Sequence, residues 1–184
     1  MKTLITIVIH SLIIFTYSQN SIAEEVDKTQ ACVACHGKAG DSNNAMFPKL
    51  AGQQTAYLSK QLKAFRDGTR KNAMMENIAS SLKDKDIHSM AKTFSQQTLN
   101  SAGGDEKLAV LGKEKFSMCA GCHGAKATGR GQFPRLAGQH PRYIAKQLQQ
   151  FKDKQRSNGM MQSITATLST EDIAALAEYV GSLK

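Results

Sequence analysis

The chain has 184 residues, 41% of them hydrophobic and 6% aromatic, with no tryptophan and a formal net charge of +9. That length holds one ordinary domain or two very small ones, and two small domains this poor in aromatics bury little surface unaided. The basic balance suits an anionic membrane or an acidic protein partner, and without an RNA- or DNA-binding motif nucleic acid is excluded.

In chain order, residues 1–23 read as a cleaved signal peptide. Lys2 supplies the positive start, and 4–17 is an apolar stretch interrupted only by Thr6, His10, Ser11 and Thr16. Ser21 and Ala23 place small residues where a signal peptidase reads. The stretch falls short of the roughly 20 residues that span a bilayer, so export to the periplasm is expected rather than anchoring. Losing Lys2 with this segment leaves 23 basic against 15 acidic side chains, or +8, for residues 24–184.

The chain's only four cysteines fall in two copies of C-x-x-C-H: Cys32, Cys35 and His36, then Cys119, Cys122 and His123. Two thiols on one helical turn suit addition to the two vinyl groups of a haem, with the adjacent imidazole turned onto the iron. A redox dithiol calls for one such pair near a βαβ pattern, and a zinc ribbon for two pairs about 15–20 residues apart. Neither matches. Two covalently bound haem c groups are therefore expected, and they would supply core as well as function.

The second half repeats the first at an offset of 86 to 87 residues. The segment F-P-x-L-A-G-Q at 47–53 returns at 133–139; Tyr57, Gln61 and Phe65 return as Tyr143, Gln147 and Phe151. Each repeat reads as helices and loops. Leu58, Leu62 and Phe65 lie at i, i+4 and i+7, as do Ile144, Leu148 and Phe151. Ile87, Met90, Ala91 and Phe94 stripe the last helix of the first repeat, with Asp84 as its expected cap. Ile173, Leu176, Val180 and Leu183 do so in the second, where Ser169 or Thr170 would cap. Leu108, Leu111 and Phe116 support an amphipathic helix before Cys119. Residues 95–106 are rich in Ser, Gln, Asn and Gly and read as a connection. The boundaries adopted are 24–97 for the first domain, 98–105 for the linker and 106–184 for the second domain.

The iron's sixth position points to methionine. Met74 and Met75 in the first repeat and Met160 and Met161 in the second lie 37–39 residues past the histidines. Thioether sulfur is a soft ligand, and His/Met coordination raises the reduction potential. Met90 is read as core, and Met118 and Met46 are badly placed or unrepeated. Pro48 and Pro134 are the expected sources of a backbone carbonyl that orients each histidine. His88 and His140 have no repeat partner and read as surface residues.

These motifs together resemble the cytochrome c4 family, the dihaem, two-domain branch of class I cytochromes c, over nearly all of 24–184. The resemblance implies an all-α fold of two tandem class I cytochrome c domains, each wrapped around one covalently bound haem. It implies His/Met ligation in both and a periplasmic electron carrier serving terminal oxidases. In the family the ligand methionine lies seven residues before the leucine preceding the last helix. That register selects Met75 and Met161, with Met74 and Met160 as the fallback. Gly112 and Phe116, packed on Tyr179, match the family's first-on-last helix contact; the corresponding first-domain residues, Glu25, Thr29 and Thr93, do not.

The expected function is single-electron transfer between respiratory-chain partners, such as a quinol–cytochrome c reductase and a terminal oxidase, without enzyme activity or a small-molecule substrate. Loose membrane association is compatible with it. The alternatives are the cytochrome subunit of a periplasmic dehydrogenase and a dihaem peroxidase. Lys60, Arg66, Arg70, Lys146, Lys152 and Arg156 are candidate docking cations or partners of haem propionates.

Overall fold

The computed structural model describes residues 29–184; the expected signal segment, and Glu25 with it, lie outside that range. The described residues form α-helices and loops without a strand, apart from an isolated bridge between Arg130 and Phe133. The first repeat holds α1 (Gln30–His36), a 3₁₀ turn (Lys38–Gly40), α2 (Thr55–Arg66), α3 (Ala73–Ala79) and α4 (Asp84–Ser95). The second holds α5 (Glu106–Lys115), α6 (Ser117–His123), α7 (Pro141–Lys152), α8 (Gly159–Thr165) and α9 (Thr170–Ser182). None of these helices is long and apolar enough to cross a membrane.

Local chemistry explains the boundaries. Pro141 opens α7, where its missing N–H leaves no helical bond unmade. Ser169 caps α9 in a reciprocal capping box with Asp172. The expectation for Asp84 is corrected: Lys83 occupies the N-cap without a side-chain bond, and Asp84 is the first helical residue. Its carboxylate is drawn instead to Lys63 and Arg66, both at 2.7 Å.

The stripes on α2, α4, α7 and α9 face inward as the periodicity predicts, with Ile87, Met90, Phe94, Ile144, Ile173 and Val180 all buried. The helix before Cys119 is different. Gly112 and Phe116 are buried, but Leu108 and Leu111 are exposed. The reason is how closely α5 crosses α9: a Cβ on Gly112 would overlap the Ala175 carbonyl oxygen. A crossing that tight puts one narrow face of α5 in contact. Phe116 sits there, 5.3 Å from the Tyr179 ring centroid, and Leu108 and Leu111 lie off it.

The polar connection is strapped down. Asn100 Nδ2 donates to Asp41 at 2.6 Å in the first repeat, while Ser101 Oγ donates to the Gly181 carbonyl at 2.7 Å in the second. The Ala102 N–H donates to the Gly138 carbonyl at 3.1 Å, so the segment touches both repeats.

Candidate functional site: two cofactor clefts and the interface between them

Each C-x-x-C-H lies on a short helix, α1 or α6, that ends at the histidine. Gly37 and Gly124 then take φ of 80° and 82°, a left-handed conformation that glycine adopts without strain. On one helical turn the two cysteines of each motif project to the same side. All four thiols are free and partly exposed. Burial pushes the Cys119 thiol up to about 11 and Cys32 upward as well, with the neighbouring thiol of each pair adding to the effect. That is the reverse of the depressed values of a redox dithiol.

The histidines are buried and fixed. His36 Nδ1 lies 2.8 Å from the Pro48 carbonyl oxygen, and His123 Nδ1 lies 2.9 Å from that of Pro134. A carbonyl only accepts, so Nδ1 carries the proton and Nε2 keeps a free lone pair. Burial lowers both imidazole pKa values, opposed by those carbonyl bonds, and so favours the neutral, ligating form. Phe47 and Phe133 set ring edges beside them at centroid distances of 6.2 and 6.4 Å. Both proline carbonyls are where the sequence placed them.

The methionine doublets open α3 and α8. Asn72 and Asn158 cap these helices with the same backbone angles, φ −169° and ψ 107°, and accept from Met75 N at 3.0 Å and Met161 N at 3.1 Å. Met75 and Met161 are partly buried, whereas Met74 and Met160 are each 55% exposed. Met160 Sδ lies 4.0 Å from Cys122 Sγ, so in the second repeat the doublet lies beside the thiols. Among the described residues no cluster of three or more His, Cys, Asp or Glu could hold a bare metal ion. A thiol pair, an imidazole with free Nε2 and a thioether suit a haem instead.

The two repeats meet across a pseudo-two-fold polar interface. Gln139 accepts from the Lys49 N–H and donates to the Lys49 carbonyl, both at 2.9 Å. Its counterpart Gln53 does the same to Arg135, at 2.8 and 2.9 Å. Arg70 donates to Gln61 Oε1 and Gln147 Oε1 at 2.8 Å and to Tyr143 Oη at 3.1 Å. Arg156 donates to the same two glutamine oxygens at 2.6 and 2.8 Å and to Tyr57 Oη at 2.9 Å. Guanidinium groups sharing acceptors this way are on the order of 5 Å apart, a repulsion of about 3 kcal/mol at an effective dielectric near 20.

Three sequence expectations are corrected here. Arg70 and Arg156 belong to this interface and are not free docking cations. Arg66 and Lys152 are also engaged, Arg66 with Asp67 and Asp84 and Lys152 with the Leu168 carbonyl. His140 is 6% exposed, not a surface residue, and its Nε2 lies 2.9 Å from the Ser42 carbonyl oxygen of the other repeat. It has the role that Gln54 Nε2 plays toward Thr128 O at 3.1 Å, so its partner was a glutamine rather than a second histidine. The repeated Gln53/Gln139, Tyr57/Tyr143 and Gln61/Gln147 pairs were the available signal for the interface.

Two tandem helical units, each with a haem-attachment turn, an oriented histidine and a methionine-bearing helix, define a c-type cytochrome with two covalently bound haem c groups. A family model described as cytochrome c matches residues 24–97 and again 109–184. The chain is 38% identical to cytochrome c4 of Pseudomonas aeruginosa over 85% of each sequence. It matches the crystal structure of reduced recombinant cytochrome c4 from Pseudomonas stutzeri with a TM-score of 0.84, at 35% identity, over 88% of this chain and 98% of that one. It is also 32% identical to a thiosulfate dehydrogenase electron acceptor of Thiomonas intermedia, over 92% of this chain and 86% of the relative. The chain belongs to the dihaem cytochrome c4 family.

Proposed function

We propose that the protein carries single electrons in the periplasm between respiratory-chain partners, from a quinol–cytochrome c reductase to a terminal oxidase. Residues 1–23 would direct export, and 24–97 and 106–184 would be the haem domains joined by 98–105. Cys32 and Cys35 would hold one haem through thioether bonds, and Cys119 and Cys122 the other. When bound, the haem supplies a ferric–ferrous couple, and the chain sets its potential and access. His36 and His123 would present Nε2 to iron because Pro48 and Pro134 hold the opposite nitrogen. Met75 and Met161 would supply thioether sulfur to the iron, and such soft sulfur favours the reduced state. An iron held by both an imidazole and a thioether would keep no open site for peroxidase chemistry.

The observation that carries this reading is the repeated Nδ1–carbonyl bond behind each attachment-motif histidine. Met161→Ala should remove about half of the red charge-transfer absorbance typical of ferric His/Met haem, and Met75→Ala the other half. If only the Met160 and Met74 variants do so, the register is wrong by one.

A second reading, acceptor of a periplasmic dehydrogenase, is favoured by the thiosulfate dehydrogenase electron acceptors among the relatives. Stopped-flow mixing separates the two. Oxidation of the reduced protein by a purified terminal oxidase supports the first. Reduction by a thiosulfate dehydrogenase in the presence of thiosulfate, without oxidation by the oxidase, supports the second. Lys60 and Lys146 are exposed and remain the docking candidates, Lys60 with one long bond, 3.4 Å, to Gln132 of the other repeat, and steering through them should weaken as salt rises.

A further inference from the structure

The turn that carries each methionine doublet is built alike in the two repeats but charged differently. Asn72 and Asn158 cap α3 and α8 with the same backbone angles, φ −169° and ψ 107°. The helices then read A-M-M-E-N-I-A and G-M-M-Q-S-I-T, so Glu76 follows Met75 where Gln162 follows Met161. Residues 68–83 hold no other acidic side chain, and residues 154–170 hold none.

The Glu76 carboxylate is fixed on that turn. Its Oε1 accepts from the Asn72 N–H at 2.8 Å, while Asn72 Oδ1 accepts from the Met75 N–H at 3.0 Å. Glu76 therefore grips the residue that holds the methionine's own N–H. Lys71 Nζ lies 3.6 Å from the carboxylate, but Lys71 is 73% exposed against 31% for Glu76, so water screens the cation more. Gln162 bonds elsewhere, its Nε2 donating to the Arg156 carbonyl at 3.1 Å. Ser157 stands where the first repeat has Lys71.

Reduction adds one electron to a haem, so a fixed negative charge near it disfavours the ferrous state. Axial ligands, hydrogen bonds and surrounding charge are the protein's means of setting the potential. The motifs offer the same ligand types in both repeats, and on this turn charge is what differs.

We propose that Glu76 sets the potential of the first haem, its carboxylate biasing that iron toward the ferric state, and that Gln162 leaves the second haem without this bias. This rests on the two-haem reading with the methionine doublets beside the irons. Glu76 acts through its charge on the ligand-bearing turn and is not itself a ligand.

The test is a spectroelectrochemical titration of the haem-loaded protein. Glu76→Gln keeps an oxygen for the Asn72 N–H and removes only the charge. It should raise one midpoint by about threefold in the reduction equilibrium, ~28 mV for one electron, and leave the other in place. Gln162→Glu brings the charge to the second repeat and should lower the midpoint that Glu76→Gln left unmoved, by a similar factor. The red charge-transfer absorbance should be unchanged in both variants; its loss would assign the shift to a displaced ligand and overturn the electrostatic role. Two unmoved midpoints in Glu76→Gln, or one midpoint answering to both variants, would also overturn the proposal. Glu76→Ala removes the bond as well as the charge. A shift equal to that of Glu76→Gln supports charge as the cause, whereas a shift in the Ala variant alone makes Glu76 an anchor of the turn and nothing more. Two haems per chain by mass, with Glu76→Gln unshifted, would sink this proposal and leave the two-haem reading intact.

Discussion

The two repeats carry the same motifs in the same order but hold themselves together differently. The second buries a contiguous cluster that includes Phe116, Ile144, Leu168, Leu176 and Val180, with α5 locked on α9 through Gly112. Among the described residues the first has a cluster of only Leu58, Ala91 and Phe94. It relies more on charge: Lys49 on Asp41, Lys63 and Arg66 on Asp84, and the linker's Asn100 on Asp41. Apolar packing contributes about 1.5–3 kcal/mol per buried large side chain, whereas exposed ion pairs such as those of Asp84 give roughly 0–1. Local stability can therefore diverge between domains whose sites are the same.

The sharpest way to break that contrast is Gly112→Ala. The added methyl meets the Ala175 backbone, which cannot move as a side-chain tip could, and should cost about 3 kcal/mol or more. Denaturant unfolding should then show the second domain losing its advantage; an unchanged midpoint would mean the α5–α9 crossing is not its source.

Asn72→Ala and Asn158→Ala address what the repeats share. Each should cost about 1 kcal/mol, and both should weaken the charge-transfer band of their own haem, because the cap fixes the helix turn that bears the methionine. Unequal effects would show that the doublet helices are supported differently despite their matching geometry.

Part of the pH response should come from the interface. Burial lowers the His140 pKa, with Lys49 adding to it and the Ser42 carbonyl and Asp41 opposing. The folded state then binds fewer protons than the unfolded one. Its stability is full above the unfolded pKa near 6.5 and falls as pH drops through that value toward the lower folded one. His140→Gln, which copies Gln54, should keep the bond to Ser42 and flatten that part of the thermal-melting profile. A profile of unchanged slope would place the titration elsewhere.

The smallest expected effect is a gain. Ser59 buries a hydroxyl that makes no hydrogen bond, where the other repeat has Ala145. Ser59→Ala should stabilise the first domain by about 1 kcal/mol, visible as a rise in Tm; a fall would reveal a partner for the hydroxyl.

The sequence by itself determined the parts whose physics is local. C-x-x-C-H puts its thiols on one turn, apolar spacing declares each helix's inner face, and a proline 11 or 12 residues after the histidine brings its carbonyl to Nδ1 across a short loop. The internal repeat declared two domains. It left undecided which face of α5 would be buried, since Leu108 and Leu111 satisfy the periodicity yet lie outside a crossing narrowed by Gly112. It suggested a surface histidine at 140 and left arginines 70 and 156 open between docking cations and partners of haem propionates, because polarity along a chain does not tell solvent from a polar interface. Only the tertiary structure decided that. Hydrogen bonds between residues 73 to 99 positions apart, arranged about a pseudo-two-fold axis, depend on how one repeat docks on the other.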